Sequence, residues 1–314
     1  MNRFHHVLLP ALAAILPAMT GRFGLAEDHP PSRLAFTRAA GELHFDTGVL
    51  KGTLGAGGKS LGLRPVSHIA SGVQVAGAFG ILSPYRMLTS DARFGTAAWD
   101  WASKAELLAD GAAKVHWSPD EVHPLEMTGV YRWVADDTLD LELTVNPLRD
   151  LRRFELFLAS YFNGFPASLS CVRQPASASG SHRFMEAVKA HGTWQTFPRD
   201  DWAAALFGDG RWARPPNPVT WAMMPRLAAP LALRRDAKSG LTAVLMSRPD
   251  DCFAVSMPYG EESHRAVYLS LFGGDLRSGL EASAGARLVI GKGIGEDRAI
   301  ELYRAYLHER AVQK

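Results

Sequence analysis

Cysteine is scarce: only Cys171 and Cys252 occur in 314 residues. That excludes a small disulfide-built scaffold and the paired-cysteine zinc patterns. Both cysteines lie in strand-like contexts. In an oxidising compartment they either pair or remain buried thiols, and the sequence leaves both open. An excess of one charge is also lacking, since 34 Lys and Arg stand against 32 Asp and Glu with no basic run. This balance argues against nucleic acid and anionic membrane surfaces as partners. Beyond the N-terminus no apolar run is long enough to cross a bilayer. The His-Glu-x-x-His and Gly-x-Ser-x-Gly motifs are missing, and nothing implies a metal or cofactor. Gly58-Lys59-Ser60 nearly imitates a phosphate loop, but Thr53 stands where the first glycine belongs. A turn between strands also lacks the helix N-terminus that such a loop needs. Gly291 to Gly295 is glycine-rich and reads as a turn into the last helix.

What is present begins with an export signal. Arg3, His5 and His6 precede the apolar run Val7–Thr20, and Gly24-Leu25-Ala26 supplies small residues for cleavage after Ala26. An uncleaved anchor is the alternative. Removing residues 1–26 removes Arg3 and Arg22 and no acid, leaving 32 charges of each sign. Residues 27–40 read as a linker, and residues 41–314 as one domain. Within it, Leu139, Leu141, Leu143 and Val145 alternate with Asp140, Glu142 and Thr144, which predicts a strand with one buried and one wet face. Phe154 to Phe162 is mostly apolar, as in a strand covered on both faces. Roughly fifteen such segments, separated by turn signals, favour an all-β, large two-sheet antiparallel supersandwich over βαβ units.

Three other stretches stand out. Ser83 to Trp101 reads as an irregular, aromatic-rich region. An insertion near residues 176–221 holds Trp194, Trp202, Trp212 and Trp221, with a short helix at Asp200–Phe207 capped by Asp200. Long insertions in sandwiches commonly lie at the rim where ligands bind. Glu296 to Arg310 reads as an amphipathic helix, with Ala299, Ile300, Tyr303, Tyr306 and Leu307 on one face.

Ser160-Tyr161-Phe162-Asn163 matches the end of an Asn-His-x-Tyr-Phe-Asn stretch, and the preceding strand ends Thr144-Val145-Asn146. In these residues the chain resembles the galactose mutarotase-like superfamily, which includes aldose epimerases and domains of carbohydrate hydrolases and lyases. The resemblance implies a supersandwich that handles sugars. It also carries a departure, because the superfamily's histidine falls at Ala159, which cannot move a proton. The superfamily's C-terminal Glu-Pro-Gln context is missing as well, so no catalytic residue transfers.

The candidate chemistry therefore rests on this chain's own residues. Tyr259 to Arg265 is a loop between strands in which His264 and Glu262 are the candidates for proton transfer, with burial or repulsion from Glu261 raising a carboxylate toward working pH. A glycosidase would need a second carboxylate across a cleft, for which Glu155, Glu186 and Asp200 are the candidates. Tyr85, Arg86, Trp99 and Arg226 are the candidates for holding a ligand, since aromatic faces stack on pyranose rings and arginine donates to hydroxyls or carboxylates. Trp101 lies in the same segment as Trp99. His68 and His116 sit in strand patterns and read as structural. The expected function is that of an exported protein, periplasmic or extracellular, that binds or acts on carbohydrate. The alternative is a non-catalytic binding or structural module of the cell envelope.

Overall fold

A strand buried on both faces needs partners above and below it, and the Glu155–Tyr161 strand has them: all seven of its residues are buried. The computed structural model describes Met1 and residues 34–174 and 182–312. The export signal expected over residues 1–26 and the loop Ala176–Ser181 lie outside the described residues. Glu155–Tyr161 is the fifth strand of a seven-stranded sheet, between Ala266–Phe272 and Ser83–Leu88. A nine-stranded sheet packs against it and holds the Leu125–Ala135 and Thr138–Pro147 hairpin beside Ala282–Lys292. A third, five-stranded sheet spans Thr37 to Gln74 and was not expected; its first strand, Thr37–Ala39, falls within the predicted linker. Pairing is antiparallel throughout except between Trp194–Pro198 and Ala222–Met223. The predicted all-β, antiparallel supersandwich with short helices and one C-terminal helix is the observed architecture.

Side-chain alternation sorts the central strand into two environments. Leu156 and Leu158 enter the main core with Leu139, Leu141 and Leu143 of the opposing sheet. Phe157, Ala159 and Tyr161 point the other way, into a second cluster completed by Leu206, Phe207 and Trp212 of the insertion. The C-terminal helix Glu296–Val312 covers the outer face of the nine-stranded sheet, with Ala299, Ile300, Tyr303 and Tyr306 buried against it. The polar face of the Thr138–Pro147 strand is consequently part-covered, not fully wet. Asp140 accepts from Arg287 at 2.6 and 2.9 Å, Arg287 reaches Glu309 of the helix at 2.7 Å, and Arg310 pairs with Glu142.

The region Ser83–Trp101, expected to be irregular, supplies a strand interior to the seven-stranded sheet. Pro84 hides it, because proline breaks the strand signal and is tolerated here only beside a bulge. Cys171 and Cys252 belong to different sheets and are buried free thiols. Burial pushes both thiols up to about 12, so neither is a reactive thiolate.

The insertion is fixed over the sheet by charge. Arg211, 1% exposed, reaches Glu155 at 3.1 Å and Asp209 at 2.9 Å. Burial pushes the Glu155 carboxyl up against the opposing pull of Arg211. Burial disfavours the Arg211 charge, but its two carboxylates outweigh that and hold it above its ordinary value. The helix Asp201–Phe207 starts as predicted, with Asp200 accepting from the Ala203 amide at 2.8 Å. Replacing Arg211 by Met strands two carboxylates in the interior, and we expect urea denaturation to show a loss of about 3–5 kcal/mol. Arg226→Ala, at an exposed pair with Asp201, should leave the midpoint nearly unchanged.

Candidate functional site

Four segments of chain converge on the outer face of the seven-stranded sheet. The central strand contributes Phe157 and Tyr161, and its neighbour contributes Tyr268, opposite Ala159 in register. On the other side, Arg86 pairs with Phe157 while Pro84 pairs with Leu158, so Tyr85 is an extra, bulged residue. Consecutive strand residues ordinarily face opposite ways; the bulge re-aims Tyr85 so that it and Arg86 both face the site. The insertion closes over them with Trp194, Trp212 and Trp221. Together these walls enclose a cavity of about 460 Å³.

One wall is a stack of rings. Tyr85 lies on Trp99 at 4.3 Å and 7°, and Trp99 on Phe79 at 5.5 Å and 13°. Trp212 and Trp221 meet edge to face at 5.2 Å. The phenols of Tyr161 and Tyr268 are pushed well above their ordinary value by burial, so both stay protonated and able to donate. Arg86, 5% exposed, donates from Nη2 to the Asn217 carbonyl at 3.0 Å and to the Tyr85 hydroxyl at 3.2 Å. Its guanidinium lies 5.2 Å from the Trp212 ring centre, a cation–π distance.

His264 enters from the loop Tyr259–Arg265. Its Nδ1 lies 2.9 Å from Oε1 of Glu262, and its backbone amide donates to Oε2 at 2.8 Å. An ionised carboxylate only accepts, so Nδ1 carries the proton and Nε2 is left as the acceptor. The ring packs 5.3 Å from Trp194. Both ends of the loop region are held by Arg234, fully buried, which donates to the Phe165, Gly260 and Ala266 carbonyls at 2.9, 3.3 and 3.2 Å. A second cavity, of about 510 Å³, shares Phe79, Tyr161 and His264 with the first and adds Asn163, Ser263 and Arg265. His264 thus stands where the two cavities adjoin.

Of the six residues singled out in the sequence, Tyr85, Arg86, Trp99 and His264 line the aromatic cavity, and Glu262 touches it through His264. Arg226 does not belong: it is held by Asp201 at 2.8 Å, away from the lining residues. The expectation of a raised carboxylate in this loop is also corrected. Burial alone would raise Glu262, but hydrogen bonds from the side chain and amide of His264 outweigh it and hold the carboxyl below its ordinary value. Among the described residues no carboxylate lines either cavity. Glu155 is locked to Arg211, Asp200 caps a helix, and Glu186 is exposed on an outer strand. Trp101 is buried against His123, and Trp202 packs on Phe253 with 40% of its surface exposed. His68 and His116 bond to Ser71 and Glu126. Tyr161 and Tyr268 were not singled out as site residues; their alternation with core leucines is the signal that points to them.

The fold is that of a galactose mutarotase-like β-supersandwich. No family model and no curated protein matches the chain. Among solved structures it is similar to a galactose mutarotase-like protein from Lactobacillus casei, at 10% identity, 80% of this chain, 100% of that one and a TM-score of 0.50. It is also similar to an alpha-N-acetylgalactosaminidase from Bifidobacterium bifidum solved with GalNAc, at 13% identity, 88% of this chain and a TM-score of 0.50, although it spans only 39% of that chain. A galactose 1-epimerase from Lactobacillus acidophilus shares 8% identity over 83% of this chain and 98% of that one, at a TM-score of 0.45. At these identities the likeness is one of fold. Ala159 is fully buried in the cluster that floors the aromatic cavity.

Because the folded state holds Glu262 below its ordinary value, the stability it contributes is full above the ordinary carboxylate range and is lost as pH falls through the depressed value. We expect the melting temperature of the unaltered protein to fall more steeply than that of Glu262→Gln between about pH 5 and pH 3. Parallel curves would show that the bond to His264 contributes nothing.

Proposed function

We propose that this chain is an exported, carbohydrate-active protein whose ligand lies in the aromatic cavity. The observation that supports this reading is the convergence of Tyr85, Arg86, Trp99 and His264, from separate segments, on one cavity of sugar-binding composition. The ring cluster offers apolar aromatic surface to a pyranose. Arg86 supplies donors to its oxygens, and so does the Tyr161 hydroxyl, which accepts from Tyr268 and keeps its own proton free. His264, its tautomer set by Glu262, supplies an acceptor at Nε2 for a sugar proton, so the chemistry in this reading is proton transfer by a single oriented imidazole. A two-carboxylate glycosidase scheme has no support in the lining residues.

One observation favours a second reading, a non-catalytic binding module of the cell envelope. The superfamily's histidine is an alanine at a position that faces the cavity floor, and no acid stands in for it. Turnover separates the two. In a thermal-shift panel of mono- and oligosaccharides we expect a stabilising ligand, with affinity reduced about tenfold by Trp99→Ala and unchanged by Arg226→Ala. If the protein is catalytic, His264→Ala lowers turnover of that ligand by about 10²- to 10⁴-fold with binding retained. Binding without turnover supports the module. Failure of every saccharide to stabilise the protein at saturating concentration would remove the carbohydrate reading.

A further inference from the structure

Arginines buried in a protein ordinarily face a carboxylate. Arg86 does not. Its polar partners among the described residues are a carbonyl and a phenol, and its buried Nε has no partner at all. Carboxylates on the elements that carry the cavity are engaged elsewhere: Glu155 and Asp209 by Arg211, and Glu262 by His264. Arg93, the next cation along this edge of the sheet, is held only by carbonyls, among them those of Arg214 and Thr96 at 3.4 and 2.6 Å, and so adds positive potential without cancelling it. Across His264, the adjoining cavity repeats the pattern. Arg265, half-buried and without an ion pair among the described residues, lines it beside Asn163 and Ser263. The two cavities together thus present two guanidiniums and an imidazole and no acid.

Resting on the carbohydrate reading above, we infer that the ligand is an acidic saccharide of at least two rings, a uronate unit in the aromatic cavity with its carboxylate on Arg86 and the next unit across His264 with its carboxylate on Arg265. The pyranose of the first unit lies against the ring edges of the Tyr85–Trp99–Phe79 stack, whose facing surfaces are paired with one another, and its carboxylate supplies the negative charge that Arg86 lacks. A charge-assisted bond of this kind is about twice as strong as a neutral one. The sharing of Phe79, Tyr161 and His264 by both cavities makes the ligand run past the imidazole instead of ending at it.

The test is isothermal titration of the full chain with galacturonate and glucuronate against galactose and glucose, and with trigalacturonate against the monomer. We expect each uronate to bind at least about tenfold more tightly than its neutral parent, a difference that Arg86→Gln abolishes and Arg86→Lys keeps in part. We expect the trimer to exceed the monomer, and Arg265→Gln to remove that gain while leaving the monomer unaffected. Equal affinity for neutral and acidic sugars, or an acid preference that survives Arg86→Gln, overturns the inference while leaving a sugar site in place. A trimer no tighter than the monomer overturns its second subsite. If neither acidic nor neutral sugars bind, both this inference and the reading it rests on fail. Melting curves establish that Arg86→Gln is folded; should it unfold, Arg265→Gln, on a half-exposed side chain, carries the comparison.

Discussion

The bond between Arg211 and Glu155 joins the insertion to the middle of the seven-stranded sheet, beneath the candidate site. Glu155 opens the central strand and is fully buried, so without a cation above it the strand would begin with an uncompensated charge. Arg211 supplies that cation and brings Trp212 with it. Trp212 in turn contacts Phe157 at 4.6 Å and lies beneath the Arg86 guanidinium. One charge pair therefore helps to place Trp212, which packs on both the cavity floor and the guanidinium of Arg86.

The bulge at Tyr85 is the second constraint. A regular strand would place Tyr85 and Arg86 on opposite faces, one in the main core and one outside. The extra residue turns both outward, so that a flat ring and a cation share one surface. That combination suits a pyranose bearing a charged substituent, because the two recognition elements keep a fixed spacing through the backbone that connects them. Arg234 does the equivalent for the loop bearing His264, using three carbonyls to hold a segment that sequence alone would leave as an exposed turn.

Much of this architecture is legible in the residues. Leucines alternating with acids at Leu139–Val145 suit a strand with one buried face, and the mostly apolar run Phe154–Phe162 one with two. Tyr85, Arg86, Trp99 and His264, singled out by residue chemistry, line one cavity in the structure. The pattern stops short in three places. Pro84 disguises an interior strand. The acid face of Thr138–Pro147 looks wet because its covering cations, Arg287 and Arg310, lie more than a hundred residues along the chain. Arg226 resembles Arg86 in composition, and only geometry shows that Asp201 has already taken its charge. In each case the deciding fact is a partner distant in sequence.

The covering helix Glu296–Val312 has a consequence for how the molecule is made. Leu231, Leu233, Val244, Met246 and Val289 form an oily sheet face that this helix alone closes, clamped by Arg310 on Glu142. The Thr138–Pro147 strand likewise waits for Ala282–Lys292 as its neighbour, and Glu155–Tyr161 waits for Ala266–Phe272. The polypeptide emerging from the ribosome therefore cannot complete either large sheet until nearly all of it has been synthesised, and pairing of such distant segments is intrinsically slow. A chain that stays open so late leaves its apolar strands exposed to association until this helix arrives.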